Sequence, residues 1–233
     1  MFNGIKSWFS NYSFKHPWDS VVYAASYKYP NNFNPNVKHI DIISRHIDPK
    51  TGIMFTHKLL TTEWPMFSSF GKLYASEYTA IDPENRRMIL VSVNHSISSL
   101  LVAKERLEYI QDPNSDQWTL MNQSTTIEAF SGFLDSVIST YKANALKGRE
   151  AIEWVINNRL PLLPKIPECQ KIVPAHPEND IDQFISHVET CWDDISRDVT
   201  KAKDEFISRG AVIKENFTNL FFENIYVWGN QFS

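Results

Sequence analysis

The stretch Trp118 to Ile156, WTLMNQSTTIEAFSGFLDSVISTYKANALKGREAIEWVI, decides the architecture, because the spacing of its apolar residues changes partway along. Trp118–Phe130 reads as a strand. From Phe133 to Ile156 the period is helical: Leu134, Ile138, Tyr141, Ala145, Ile152 and Val155 form one stripe, with Phe133, Val137, Ala151 and Trp154 beside it. A long strand therefore runs directly into a long amphipathic helix.

Working back from this junction, strand-like segments occur at Leu100–Ile110, Met88–Val93 and Leu73–Ile81, separated by Asp82-Pro83-Glu84-Asn85 and Asp112-Pro113-Asn114-Ser115-Asp116. Ile53–Thr62 pairs with Val37–Ile47 through the hairpin turn Asp48-Pro49-Lys50-Thr51-Gly52, and Ser7–Phe14 supplies a further strand. Pro17-Trp18-Asp19 opens a short helix that Pro30 ends. Glu63–Lys72 has neither period and reads as an apolar loop. The expectation is an α+β domain in which a seven-stranded antiparallel sheet wraps one long helix. Such a sheet leaves a cavity against the helix unless bulky side chains fill it.

Downstream of Asn158 the composition shifts. Pro161, Pro164, Pro167, Pro174 and Pro177 mark a linker over 159–180, and two amphipathic stripes follow over 181–233, the second lined by Phe217, Leu220, Phe221, Ile225 and Trp228. The organisation read from the sequence is a domain over 1–158, the linker and a helical extension. Most such stripes pack on a core, whereas a Trp- and Phe-lined helix can also sit in a headgroup boundary.

Bulk properties exclude several functions. The 233 residues carry a formal net charge of −4, with a pI near 6.0, unlike a protein whose affinity comes from neutralising nucleic-acid phosphates. No run of about 18 apolar residues exists to cross a bilayer as a helix. Met1–Phe14 lacks the pattern of a cleaved secretory signal, so the sequons at Asn94, Asn122 and Asn216 carry no weight. Cys169 and Cys191 read as ordinary thiols. There is no G-x-S-x-G elbow, H-E-x-x-H helix, Walker loop or G-x-G-x-x-G turn, the seven histidines are scattered, and neither a catalytic residue nor a metal is expected. Lys28, Arg45, Lys58, Lys147 and Arg149 lie at element ends or among apolar neighbours. Cations so placed can offset the desolvation of a phosphate, or can be surface charges with packed stems.

Five segments in fixed order carry a family resemblance: Phe14-Lys15-His16-Pro17-Trp18-Asp19; Lys28-Tyr29-Pro30-Asn31; Val37–Asp41 with Ser44–Asp48; Lys58-Leu59-Leu60-Thr61-Thr62-Glu63-Trp64; and Asn144–Ile156. Together they resemble the PRELI domain over Met1 to about Asn158, most closely its slowmo branch. The resemblance implies a START-like fold around a lipid cavity. It further implies transfer of one phospholipid, phosphatidylserine first and phosphatidic acid next, from the outer to the inner mitochondrial membrane. On that reading the chain works in the intermembrane space beside a small helical protein with twin C-x9-C motifs, with transient membrane contact and lipid as cargo rather than cofactor. Carried over by position, the lipid-binding residues are Lys28, Lys58, Asn144 and Lys147, with Arg45 added. The lid over the entrance falls on Trp64, Pro65, Met66, Phe67 and Phe70, although Pro65–Lys72 is short and lacks the family's Gly-Leu-Pro pattern. A scaffold that binds only a protein partner and a START-like enzyme are the competing readings.

Overall fold

One antiparallel sheet organises the chain. The computed structural model describes residues 4–97, 100–129, 131–159 and positions 181, 182 and 186. Along it run β1 (Gly4–Phe14), α1 (Trp18–Ser26), β2 (Val37–Ile47), β3 (Met54–Thr62), a 3-10 helix (Pro65–Phe70), β4 (Leu73–Asp82), β5 (Arg87–Asn94), β6 (Leu101–Asp112), β7 (Ser115–Ala129) and α2 (Ser131–Asn158). The strand order is β1-β7-β6-β5-β4-β3-β2, so the first two strands of the sequence become the two edges. The expected seven-stranded sheet with one long helix is the observed fold.

Local chemistry explains the turns. The Asp48 carboxylate accepts from the Lys50 amide at 3.0 Å and the Thr51 hydroxyl at 3.0 Å. Gly52, at φ 71°, returns its N–H to the Asp48 carbonyl at 2.8 Å. At the start of β1, a Cβ on Gly4 would lie 2.6 Å from Leu134 Cδ2, so glycine lets the edge strand approach α2 closely.

Alternation along the strands sends every second residue to the concave face, against α1 and α2. Two apolar clusters form there. One joins Trp18, Val21 and Val22 of α1 and Ile152 and Val155 of α2 to Met88, Leu90, Leu107, Tyr109 and Met121. The other joins Leu134, Val137 and Ile138 of α2 to Phe67, Leu73, Leu101, Ala103 and Ile127. On the convex face, Ile53, Ala80, Ile89, Val91 and Val93 form a third cluster with Ile181.

Two expectations change. Pro65–Phe70 is a 3-10 helix rather than irregular loop: Pro65 sits in its first turn and Gly71, at φ 69°, ends it. The alternation of β2 is broken by bulges, since Val37 faces Thr62 while His39 faces Thr61, and Ile42 faces Lys58 while Ser44 faces His57. The second bulge, at Ile43, changes which residues look inward. Of the expected linker and C-terminal helices, all but Arg159, Ile181, Asp182 and Ser186 lie outside the described residues.

Candidate functional site

The register places a row of polar side chains across the middle of the concave face. Lys58 of β3 faces Glu77 of β4, Glu77 faces Ser92 of β5, Ser92 faces Glu105 of β6, and Glu105 faces Thr125 of β7. The adjacent row reads Thr56, Thr79, Leu90, Leu107, Gln123 and Ser10. The first row separates the two concave apolar clusters, with Ala103 and Ile127 on one side and Leu107, Tyr109 and Met121 on the other.

Lys58 is 8% exposed and its Nζ donates to Glu77 Oε1 at 3.0 Å and to the Ser26 carbonyl at 3.4 Å. That pair is closed and buried. Lys28, on the segment after α1, is 7% exposed, and among the described residues its ammonium has no hydrogen-bond or ion-pair partner. Its ammonium lies 5.2 Å from the centre of the Tyr29 ring. The Lys28 carbonyl accepts from Asn31 Nδ2, which holds the turn that carries it inward. Burial works against the Lys28 charge. The acidic groups around it, the Tyr29 and Tyr109 hydroxyls and the Glu77 and Glu105 carboxylates, outweigh burial and raise its pKa.

Glu105 accepts from Gln123 Nε2 at 2.7 Å. Burial pushes its carboxyl above the ordinary range, against the pull of Lys28 and of the Gln123 bond, while the like charge of Glu77 adds to the rise. From α2, Arg149 Nη2 donates to Ser10 Oγ at 2.8 Å and to Gln123 Oε1 at 3.2 Å, with its guanidinium 5.1 Å from the Tyr12 ring centre. Gln123 thus bridges Arg149 and Glu105 with opposite ends of one amide. Among the described residues, two buried polar atoms here, Arg149 Nε and Thr79 Oγ1, have no hydrogen-bond partner. Tyr109 is pushed up to about 12, chiefly by burial, and Tyr141 also upward, by burial and then Glu105.

The five cations and amides expected from the sequence are distributed unequally. Lys28 and Lys58 reach the interior. Arg45 is exposed at the rim of β2, and its Nε donates to Thr56 Oγ1 at 3.3 Å, a concave position it faces because of the Ile43 bulge. Asn144 is half-buried and Lys147 exposed on α2, neither with a side-chain hydrogen bond among the described residues. Of the lid residues, Phe67 is 1% exposed within the second concave cluster. Trp64 lies 5.2 Å from Tyr141 and 6.3 Å from Phe67, and Phe70 packs edge-on against Phe67 at 6.3 Å, while Pro65 is exposed. Met66 lies within the 3-10 helix.

Site reasoning from sequence missed Glu77, Glu105 and Gln123. Their signal was a charged or amide residue in an otherwise inward apolar row, as in Leu101, Ala103, Glu105, Leu107 and Tyr109.

A seven-stranded antiparallel sheet packed on one long helix, with charged side chains between two apolar clusters, defines an α+β fold of the START-like class. Residues 19–161 match the family model described as PRELI-like family, and the chain belongs to that family. Over 162 residues it is 32% identical to "Protein slowmo homolog" of Dictyostelium discoideum, covering 62% of this chain and 68% of that one. It is 25% identical over 162 residues to "Protein UPS2, mitochondrial" of Saccharomyces cerevisiae, covering 63% and 70%. Among solved structures, Ara h 8.0201 aligns at a TM-score of 0.47 and 15% identity over 66% of this chain and 99% of that one.

Proposed function

We propose that this chain carries one phospholipid between mitochondrial membranes, from outer to inner, with phosphatidylserine the favoured cargo and phosphatidic acid next. The observation that carries the reading is the layering of the concave face. Buried Lys28 and Lys58 and half-buried Arg149 form a cationic band with buried Glu77 and half-buried Glu105, bordered on each side by apolar packing. A headgroup phosphate answers the band, acyl chains answer the apolar cluster beneath Trp64–Phe70, and opening that aromatic segment at a bilayer gives entry. Membership of the PRELI-like family and the mitochondrial names of relatives support the setting, which we place in the intermembrane space beside a small twin C-x9-C helical partner.

The reading includes no covalent step. A lysine used as a nucleophile needs a lowered pKa, and that of Lys28 is raised. Native mass spectrometry of the full chain purified from a eukaryotic host tests the proposal: a phospholipid bound one to one is expected, and a protein that neither retains lipid nor moves any between vesicles refutes it.

A further inference from the structure

The interior charges do not cancel pair by pair, and the remainder has a definite pattern. Lys58 and Glu77 close on each other at 3.0 Å. Among the described residues, Lys28 and Arg149 have no carboxylate within ion-pair distance and Glu105 has no cation within it; Glu105 bonds Gln123 and Thr125. Yet these groups feel one another, since Lys28 is among the influences on Glu105 and Glu105 among those on Lys28. Among the described residues, what remains open is two cations and one carboxylate, with the Gln123 amide standing between Arg149 and Glu105.

We infer that Glu105 is a specificity-determining residue that receives the ammonium of a headgroup bearing one phosphate, one carboxylate and one ammonium, while Lys28 and Arg149 receive the two anionic groups. The inference rests on the lipid-carrier reading and deepens it. A serine-type headgroup has two anions and one cation, the inverse of the open set. A phosphate-only headgroup satisfies the cations but brings like charge toward Glu105, and an ethanolamine headgroup satisfies Glu105 but answers only one cation. Unpaired charge in a buried site is costly enough to discriminate among such ligands. The orphaned Arg149 Nε is the donor left for the second anionic group. Glu105 is thereby distinguished from Glu77, whose charge is already consumed within the protein.

The test compares transfer of phosphatidylserine, phosphatidylethanolamine and phosphatidic acid of identical acyl chains between neutral vesicles, by the full chain and by Glu105→Gln. The amide keeps the shape and still accepts from Gln123, so only the charge is lost. Loss of an ammonium–carboxylate bond predicts that the rate for phosphatidylserine falls about tenfold relative to that for phosphatidic acid. Equal losses for all three lipids, or an unchanged ratio, overturn the role of Glu105 while leaving lipid transfer standing. Wild-type protein that moves no lipid overturns the carrier reading instead. Should Glu105→Gln fail to fold, competitive loading of wild type from an equimolar mixture decides: enrichment of phosphatidylserine over both other lipids supports the assignment, and no enrichment overturns it.

Discussion

The two faces of β3, β4 and β5 are built from the same strands and do opposite things. On the concave face, alternate residues Lys58, Glu77 and Ser92 point polar groups inward, and the Oγ1 of nearby Thr79 has no hydrogen-bond partner among the described residues. On the convex face the intervening residues Ala80, Ile89, Val91 and Val93 close around Ile181, which is 1% exposed. Beside it Asp182 takes both terminal nitrogens of Arg87, at 2.9 and 3.0 Å, and that hydrogen bonding holds its carboxyl below the usual range. A face finished with apolar packing contributes to stability. A face left with buried charges, and with two polar atoms unpartnered among the described residues, gives up stability. The difference lies in a single-residue alternation.

The largest effect should come from breaking the closed pair on the concave face. Lys58→Glu places a second carboxylate against Glu77 where neither can reach water, and should destabilise the fold by about 3–5 kcal/mol in urea unfolding. The double variant Lys58→Met with Glu77→Leu should recover most of that loss. If the single change is silent, the pair is not buried as described.

On the convex face, Ile181→Ala should cost about 2 kcal/mol of stability through the lost packing, yet leave the rate of lipid transfer unchanged. A transfer defect at full stability would erase the contrast between the faces. Lys28→Met should do the reverse, lowering transfer of anionic lipid about tenfold with little loss of thermal stability. Its removal also takes away the charge that holds Glu105 down.

The smallest effect concerns a polar spot beside the convex cluster. His57 and His95 each bond Ser76 Oγ through Nε2, at 3.1 and 2.7 Å, and burial lowers both pKa values, with His95 also acting on His57. A folded-state pKa below the ordinary 6.5 favours the neutral ring. The stabilisation is therefore full above pH 6.5 and is lost as pH falls from there through the lowered folded value. His57→Gln should flatten that part of the stability profile while leaving the lipid site intact, as followed by thermal melts across pH.

The fold was legible because hydrophobic period and turn chemistry are local. The change of spacing after Phe130 and the Asp48–Gly52 turn each point to one answer within a few residues. The site was legible only in part. Lys28 and Lys58 could be singled out as cations among apolar neighbours, but that Glu77 consumes one of them and not the other depends on a pairing across strands. Arg45 reaches the concave face because Ile43 bulges, which strict alternation does not anticipate. The Gln123 bridge needs β7 and α2 together, and no spacing along the chain encodes it.

The bulges in β2 also bear on how copies of this protein meet. β2 is an edge strand with exposed Ile42, Ile43 and Ile47, and a straight apolar edge is a template on which another molecule's strand can polymerise. Extra residues at Lys38 and Ile43 throw the outer row of N–H and C=O groups out of register twice within eleven residues. An incoming strand could pair for only a few residues before meeting a break. Removing Ile43 would straighten that edge, and with it the barrier against assembly into fibres.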